Sequence, residues 1–525
     1  MQKWLVSLDT DKVKEYVFAT GRLKEIRGAS ALLDDLNRNQ TRALGVSLGG
    51  KVIFAGGGSA MVEFAEKGKA EEFLAKVCAL YPERTGTASV TGVIEEYDND
   101  IKDRNKKDSF HSALQRAAAH LQKEKLAVGR IPSAVLSQPL WKRCERCGIY
   151  PATDWDYDPA GGKIQICAIC KAKREAGTKH NQTGVVDRQS DNSPASRLKQ
   201  SFQDFPEDLE FPNELNELGN YIGLIYADGN SMGNFIRDHI NTAEEMEVFS
   251  STLEKAIMKA LEEATKPFWK LEGFKRTIPF LPIILGGDDI LLITTGKIAM
   301  RVASQLCLGF QKQMKALSEE KIKETPLLFG GKSIEAVMSA GVMIAKSSHP
   351  LFALEPLAAE LLRSAKQLAY QLKPTYGLEP TIDFRVVSSP SANSLDVIRK
   401  YDYLIQSGKW ATCRPYPCRN IPMLKRPAWS DIEKAIQMLR EEKFPRNKLH
   451  AWQDLLHAST ELQAELDLSV IRAHLNNNQK TLMGEITGGL LHFNSALDLF
   501  TENVPEKGQK SSPLPDIEEI YDFCV

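Results

Sequence analysis

The sequence predicts an α+β protein with two similar antiparallel sheets, and three observations support this prediction. An apolar strand that ends in an acid occurs twice, as Leu5–Asp9 and as Leu224–Asp228. Each copy is followed by two apolar strands around a Gly-rich turn, at Ile53–Val62 and at Ile283–Leu292, which is the pattern of a β-hairpin. Segments with helical periodicity separate the strands.

A further strand completes each copy, Val90–Ile94 in the first and Ser339–Met343 in the second. Helical patterns occur at Glu71–Leu80 and Leu354–Leu372. The order strand, helix, hairpin, helix, strand predicts a ferredoxin-like sheet with its helices on one face. The internal repeat therefore predicts two domains of one fold.

The chain of 525 residues is long enough for several domains. We predict a first sheet domain at 1–135, a cysteine-bearing insert and polar linker at 136–219, a second sheet domain at 220–390 and a helical domain at 391–525. Helical spacing in the last region covers Ile432–Leu439, Trp452–Leu475 and Thr481–Leu499. A charged tail follows Glu502.

Composition excludes several classes of protein. The chain has 42% hydrophobic and 26% charged residues and a formal net charge of -1, so overall charge does not hold it to nucleic acid, although a local basic groove is not excluded. No apolar run has membrane-spanning length, and no signal peptide is evident. We therefore expect a cytoplasmic protein without a membrane partner.

An acidic centre is predicted in the second sheet. Asp228 ends the first strand of this sheet, and Asp288 and Asp289 lie in the neighbouring hairpin turn, facing solvent. Because the two strands are adjacent, the carboxylates should converge at one edge and bind Mg²⁺ or Mn²⁺. Two such ions can activate a 3′-hydroxyl and neutralise pyrophosphate, so we predict nucleotidyl transfer. The alternative is a polar hairpin turn without function.

Nucleotide contacts are predicted around this centre. Glycines in the turn let a nucleotide approach the backbone, a lysine on the last helix could contact a triphosphate, and small residues precede a helix N-terminus that favours anions. The residues are Gly229, Asn230, Ser231, Gly286, Gly287 and Lys366. The alternatives are a solvated Lys366 and an N-cap role for Ser231.

The first sheet lacks most of these acids. Gly58 and Ser59 occupy the positions of Asp288 and Asp289, and only Asp9 remains. One carboxylate cannot hold a pair of metal ions, so this sheet should bind rather than catalyse. The predicted nucleotide-binding residues are Gly57, Gly58 and Ser59, with a structural turn serine as the alternative for Ser59.

Four of the nine cysteines form a C-x₂-C-x₁₉-C-x₂-C pattern, namely Cys144, Cys147, Cys167 and Cys170. This spacing suits tetrahedral Zn²⁺. A site of four thiolates has no open position, so the predicted role of zinc is structural. The alternative is a degenerate finger without metal.

In this order, the motifs resemble those of the large polymerase-like subunit of type III CRISPR effector complexes. The similarity rests on the four-cysteine insert and on the segments Leu23–Leu33, Asp228–Gly233, Gly286–Asp289 and Ser339–Val342. It implies two palm domains that bind two ATP molecules, of which the GGDD palm joins them 3′ to 5′ into cyclic oligoadenylates. It also implies partner subunits with a guide RNA, and a target RNA that switches synthesis on.

The sequence departs from the family pattern in one respect. Many members begin with an HD phosphohydrolase domain, whereas this sequence starts at the first palm strand and contains no His-Asp dipeptide. We therefore expect a short form without DNA cleavage. The alternatives are a non-catalytic scaffold and a stand-alone GGDEF-like cyclase that uses GTP. A template-copying polymerase is less expected, because fingers and thumb regions are not evident.

Overall fold

The computed structural model describes residues 1–128, 141–158, 161–178, 193–206, 208–274, 276–387, 394–405, 408–458, 460–491, 493, 499–502 and 510–524. The predicted domain boundaries at residues 135 and 390 lie outside the described residues. The same holds for residues 179–192 of the predicted linker and residues 503–509 of the predicted tail.

The first region forms a four-stranded sheet flanked by helices. Its elements are β1 (Gln2–Thr10), α1 (Val13–Val17), α2 (Leu23–Asp35), a π-helical turn (Leu36–Gln40), α3 (Thr41–Ser47), β2 (Lys51–Gly56), β3 (Ser59–Phe64), α4 (Lys67–Thr85), β4 (Val90–Asp98) and α5 (Phe110–Val128). The strand order is β2-β3-β1-β4, with antiparallel neighbours. This is the predicted ferredoxin-like topology.

A small two-stranded sheet and two helices connect the two large sheets. They are β5 (Asp154–Asp158), β6 (Gly162–Ile166), α6 (Ala168–Thr178) and α7 (Pro194–Ser201). Helix α7 begins where Ser193 accepts a hydrogen bond from the backbone N–H of Ser196, which is an N-cap.

The second large sheet repeats the first and extends it. Its elements are β7 (Tyr221–Asn230), α8 (Met232–His239), α9 (Ala243–Thr265), β8 (Phe280–Gly286), β9 (Asp289–Thr295), α10 (Ala299–Glu324), β10 (Val337–Lys346), α11 (Leu351–Tyr376) and β11 (Thr381–Val387). The order β10-β7-β9-β8 matches that of the first sheet. Strand β11, which was not predicted, adds to β10 in parallel.

The prediction that helices cover only one face of each sheet is wrong, because helices pack on both faces of both large sheets. In the second sheet, Ile225 and Leu292 pack toward α9 and α10, whereas Leu224 and Leu291 pack on the other face with residues of α2. Helix α11 also covers this second face. The strands are therefore buried on both sides, which explains why they are apolar almost without alternation.

The two sheets exchange their first long helices. Helix α2 of the first region packs against β8 of the second sheet, where the Ser30 hydroxyl donates a hydrogen bond to the carbonyl of Ile283. Helix α9 of the second region packs against β2 of the first sheet. Each region thus covers part of the other region's sheet, and the hairpin turns meet between them.

The C-terminal region is mostly helical, as predicted. It contains α12 (Leu395–Tyr403), β12 (Tyr416–Pro417), α13 (Trp429–Glu441), α14 (Arg446–Asp454), α15 (Glu461–Ala473), α16 (Asn477–Glu485), β13 (Thr501–Glu502), β14 (Lys510–Ser511) and α17 (Leu514–Ile520). Strand β12 pairs with β11 and so joins this region to the second sheet. Within the described residues, no helix is both long and apolar enough to span a membrane.

Two predicted helices of this region have the wrong extent. The segment Trp452–Leu475 is interrupted between α14 and α15, because the Thr460 side chain accepts a hydrogen bond from the backbone N–H of Gln463 and starts a new helix. The segment predicted over Thr481–Leu499 is helical through α16 and a π-helical turn that ends at Leu490. Residues 494–498 lie outside the described residues.

Candidate active site

The two Gly-rich hairpin turns are in direct backbone contact. A Cβ atom added to Gly57 would lie 2.2 Å from the backbone nitrogen of Gly287, and one added to Gly286 would lie 2.6 Å from the Cα of Gly57. Gly57 and Gly286 therefore provide space for each other. Gly287, where an added Cβ would meet nothing within 4 Å, is open to a ligand.

Asp228 lies near the end of β7, and Lys366 of α11 lies beside it. The Lys366 ammonium forms an ion pair with Asp228 Oδ2 and donates a hydrogen bond to the carbonyl of Gly229 at 3.0 Å. Both side chains are partly exposed, at 23% for Lys366 and 29% for Asp228. The predicted phosphate-binding lysine is thus at the acidic centre, and it neutralises one of the carboxylates.

Asp288 and Asp289 are more enclosed than predicted. Burial and the negative charge of Asp228 raise the pKa of Asp288 to about 7. Burial also raises the pKa of Asp289 to about 6, and nearby lysines oppose this rise. Asp289 Oδ1 is buried without a hydrogen-bond partner among the described residues. Both side chains are half-buried, so they face solvent in part rather than fully as predicted.

The three carboxylates do not form a closed cage. Within the described ranges, the only group of three or more Asp, Glu, His or Cys ligand atoms within 4.8 Å of one another is a cysteine cluster. A divalent cation nevertheless fits the donor set. Asp288 and Asp289 form no ion pair within the described ranges, and Asp289 Oδ1 is a buried oxygen with no hydrogen-bond partner there, which a hard cation would satisfy.

The residues after Asp228 form a constrained segment. A Cβ on Gly229 would lie 2.7 Å from Asp288 Oδ2, so only glycine lets that carboxylate approach β7. The Asn230 amide donates a hydrogen bond to Ser339 Oγ at 2.7 Å. Ser231 precedes α8 with a φ of 63°, and its side chain forms no capping hydrogen bond. Ser231 is therefore at the predicted N-cap position without the predicted capping contact.

A cavity of about 330 Å³ lies between the first sheet and helices α8 and α9. Its lining includes Ser59 of the first turn, Gly287 and Asp288 of the second, and Glu254 of α9. Residues of both large sheets therefore meet in one cavity, which is large enough for part of a nucleotide.

Two arginines connect the walls of this cavity to the two turns. Arg197 of α7 binds Asp34 at 2.9 Å and donates a hydrogen bond to the carbonyl of Leu285, one residue before the GGDD motif. Arg38 binds the same carboxylate at 3.2 Å and lies against Gly56 of the first turn. One buried aspartate thus links the strand ends that lead into both turns.

The first sheet contains a counterpart of the Asp228–Lys366 pair. Lys125 of α5 forms an ion pair with Asp9 Oδ2 at 2.5 Å and donates a hydrogen bond to the carbonyl of Thr10 at 3.3 Å. A second carboxylate, Asp11, accepts a hydrogen bond from Thr91 and lies 3.8 Å from the Lys125 ammonium. Sequence reasoning missed Lys125, because a lysine near the end of a helix has no distinctive pattern.

Sequence reasoning also missed Lys14. This residue of α1 lies with its ammonium 3.9 Å from the ring centroid of Tyr226 on β7. Its charge acts on Asp289 and on Glu355 of α11, opposing the rise in the pKa of each that burial causes. The first region therefore contributes a cation to the acidic centre of the second.

The four predicted zinc ligands do come together. The ligand atoms of the cysteines in the insert all lie within 4.8 Å of one another, and the sulfurs of Cys147 and Cys167 are 3.9 Å apart. The cluster is compatible with a structural tetrahedral zinc site. The four residues are Cys144, Cys147, Cys167 and Cys170.

Helix α6, which carries Cys170, docks the insert onto α2. The two helices approach at glycines, since a Cβ on Gly28 would lie 1.7 Å from the carbonyl oxygen of Lys173 and one on Gly177 would lie 2.1 Å from that of Lys24. The buried Lys173 ammonium donates a hydrogen bond to the carbonyl of Tyr16. The cysteine insert is thus fixed to the first region.

Comparisons with known proteins agree with this geometry. Residues 221–371 match the family model described as Cas10/Cmr2, second palm domain, whereas no curated protein matches. A chain of the Csm1-Csm4 cassette in complex with pppApApA has a similar fold, with 13% identity and a TM-score of 0.51 over 99% of this chain and 69% of that chain.

Two further structures match a smaller part of this chain. A chain of the Csm1-Csm4 cassette in complex with pppApA shares 15% identity, with a TM-score of 0.46 over 75% of this chain and 55% of that chain. Csm1 in T. onnurineus shares 15% identity, with a TM-score of 0.44 over 72% and 52%. This chain spans about half the length of these two proteins.

The antiparallel sheet with acids at a β-hairpin, matched by the family model, defines a palm-domain protein of the α+β class. Within that class the chain is Cas10-like, and the resemblance predicted from its sequence is confirmed.

Proposed function

We propose that this protein is a metal-dependent nucleotidyltransferase that joins ATP molecules through 3′–5′ bonds into cyclic oligoadenylates. One observation carries the proposal. Next to Asp228, at the end of a palm sheet, Asp288 and Asp289 hold half-buried carboxylates that form no ion pair with any described residue. Structurally similar chains come from Csm1-Csm4 cassettes described in complex with cA4 and cA3.

Different residues bind the donor nucleotide and the acceptor nucleotide. Asp228, Asp288 and Asp289 would hold Mg²⁺ or Mn²⁺, which supplies charge neutralisation at the donor triphosphate. Gly287 leaves room for the donor, and Lys366 turns from Asp228 to its phosphates. The 3′-oxygen of the acceptor forms a bond to the α-phosphorus, the bond to the bridging oxygen breaks, pyrophosphate leaves and the hydroxyl proton passes to water.

The acceptor lies on the first palm, near Gly58 and Ser59. Ser59 and Asp288 line one cavity, so the two nucleotides can face each other across it. Holding both converts a bimolecular reaction into an effectively unimolecular one. Gly57, which packs against the GGDD turn, positions that turn and supports the site without a side chain.

A non-catalytic scaffold is the second candidate function. It is favoured by the ion pair of Lys366 with Asp228, which neutralises that carboxylate without metal, and by the spread of the three carboxylates. A scaffold requires no nucleotide, so the two candidates differ in what they bind.

The insert would hold one structural Zn²⁺ at its four cysteines, and the chain would act with partner subunits, a guide RNA and target RNA. This part of the proposal is supported by a Csm1-Csm4 subcomplex described as part of the type III-A CRISPR-Csm interference complex, which has a similar fold. We also propose that the domains follow the predicted division into residues 1–135, 136–219, 220–390 and 391–525.

Incubation with labelled nucleotides tests the proposal. The protein, alone and assembled with its complex, guide RNA and target RNA, is mixed with each NTP and Mg²⁺ or Mn²⁺. We expect cyclic oligoadenylates from ATP only, and none from the Asp288→Asn, Asp289→Asn double variant. A product from GTP alone would support the stand-alone cyclase, and the absence of any product under all conditions would support the scaffold.

A further inference from the structure

Lys14 of the first palm lies against Tyr226 of the second. Its ammonium is 3.9 Å from the centroid of the Tyr226 ring, and it makes no ion pair or hydrogen bond with the described residues. The neighbouring Lys12, in contrast, is 65% exposed and binds Glu15 at the surface. Lys14 is half-buried, so its charge is only partly hydrated.

The position of Lys14 relates it to the acidic centre. Tyr226 and Asp228 are two residues apart on β7, so their side chains point to the same face of the sheet. Tyr226 pairs with Leu291 of β9, so Asp289, two residues earlier on β9, lies on this face as well. Lys14 therefore faces the same space as Asp228 and Asp289, although it belongs to the first palm.

A half-buried ammonium that is stabilised mainly by an aromatic face is incompletely satisfied. A cation–π contact stabilises the charge, but it leaves the three N–H donors of the ammonium without hydrogen-bond acceptors. A nucleotide triphosphate would supply such acceptors, and negative charge grows on its leaving pyrophosphate during the reaction. A fixed cation at that point stabilises the transition state.

We propose that Lys14 binds the β- and γ-phosphates of the nucleotide held at the acidic centre of the second palm. The inference rests on the proposed function and extends it, because it makes the first palm supply a phosphate ligand to the catalytic one. The site is then complete only when the two palms are docked.

Substitution of Lys14 tests this role against a matched control. Lys14→Met removes the charge and retains most of the length, Lys14→Arg retains the charge, and Lys12→Met removes a charge from the same segment. The assembled complex is assayed for kcat and KM with ATP. We expect kcat/KM to fall on the order of 10²-fold in Lys14→Met, to recover in part in Lys14→Arg and to stay unchanged in Lys12→Met.

Calorimetric titration separates this inference from the proposed function, because it needs no turnover. The probes are Mg²⁺-pyrophosphate and a non-hydrolysable ATP analogue, and we expect about tenfold weaker binding of each by Lys14→Met. If the wild-type protein binds both probes but forms no product, the proposed function fails while the role of Lys14 is still decided by the affinities. Unchanged affinity in Lys14→Met, equal losses in Lys14→Met and Lys14→Arg, or no binding by the wild type would overturn the inference.

Discussion

The two palms share a framework and differ at their turns. Both hairpins carry a register shift at the same place, between Val52 and Phe54 in the first palm and between Pro282 and Ile284 in the second. Both also place a lysine from the last helix on the aspartate of the first strand. The framework thus persists in the first palm without acids in the turn, so under the proposed function a metal site would depend on the turn rather than on the sheet.

The first turn differs from the second in backbone as well as in side chains. Gly56, Gly57 and Gly58 have φ values of 154°, 69° and 83°, whereas in the second turn only Gly287, at 56°, has a positive φ. An L-residue at position 58 would be strained. The first turn therefore has a backbone that only glycines adopt readily, and Gly58→Asp alone is not expected to create a metal site there.

The contrast between the two turns predicts that removing the acids of the second turn has the largest effect on activity. The double variant Asp288→Asn, Asp289→Asn should lower the rate of nucleotide joining by on the order of 10³-fold or more, because metal-bound carboxylates stabilise the transition state. Ser59→Ala in the first turn serves as the matched change and should retain activity above that of the double variant. If the double variant were as active as the wild type, the second palm could not be the catalytic one.

The cysteine insert is the second difference between the palms, because it docks on the first region, mainly on helix α2 and also at α1 and α4. Cys144→Ser should lower the melting temperature by on the order of 10 °C, since structural zinc contributes directly to folding. Metal analysis of wild-type protein purified without chelator should give about one zinc per chain. A variant that melts with the wild type and a zinc content near zero would contradict the structural role.

The two Asp–Lys pairs allow a matched comparison. Lys366→Met should lower kcat/KM for ATP on the order of 10–100-fold, because a metal held by Asp228 under the proposed function would leave the lysine free to bind the donor phosphates. Lys125→Met should have a smaller effect, since no metal is proposed at Asp9. Steady-state kinetics of both variants give the comparison, and a larger loss in Lys125→Met would reverse the roles of the two palms.

The smallest expected effect concerns pH and the metal-free protein. The folded-state pKa of Asp288, about 7, lies above its ordinary value, so the folded protein binds a proton that the unfolded chain releases. The contribution of Asp288 to the free energy of unfolding is therefore fully present at low pH and is lost as the pH rises through 7. In buffer without magnesium or manganese, the wild type should lose this stability between pH 5 and pH 8, whereas Asp288→Asn does not titrate. The free energy of unfolding of Asp288→Asn, relative to that of the wild type, should therefore rise by on the order of 1 kcal/mol over this range. Denaturant unfolding of both proteins at pH 5 and pH 8 measures this change. If Asp288 were paired with a cation, the stability of the variant relative to the wild type would fall rather than rise with pH.

Sequence patterns predicted the strands of the two repeated sheets, both turns and the position of Asp228 well, because apolar runs and Gly-rich turns are local signals. They did not predict Lys14 or Lys125, because each lysine acts through a partner that only tertiary packing supplies. The enclosure of Asp289 was missed for a related reason. A turn that looks exposed in a single hairpin is covered here by residues of the other palm.

The exchange of first helices between the sheets makes the two halves of the chain depend on each other for folding. Helix α2 covers part of the second sheet and helix α9 covers part of the first, so neither half alone would hide its apolar surface from water. Separating the halves would expose an apolar strip on each, and such a strip favours aggregation over independent folding.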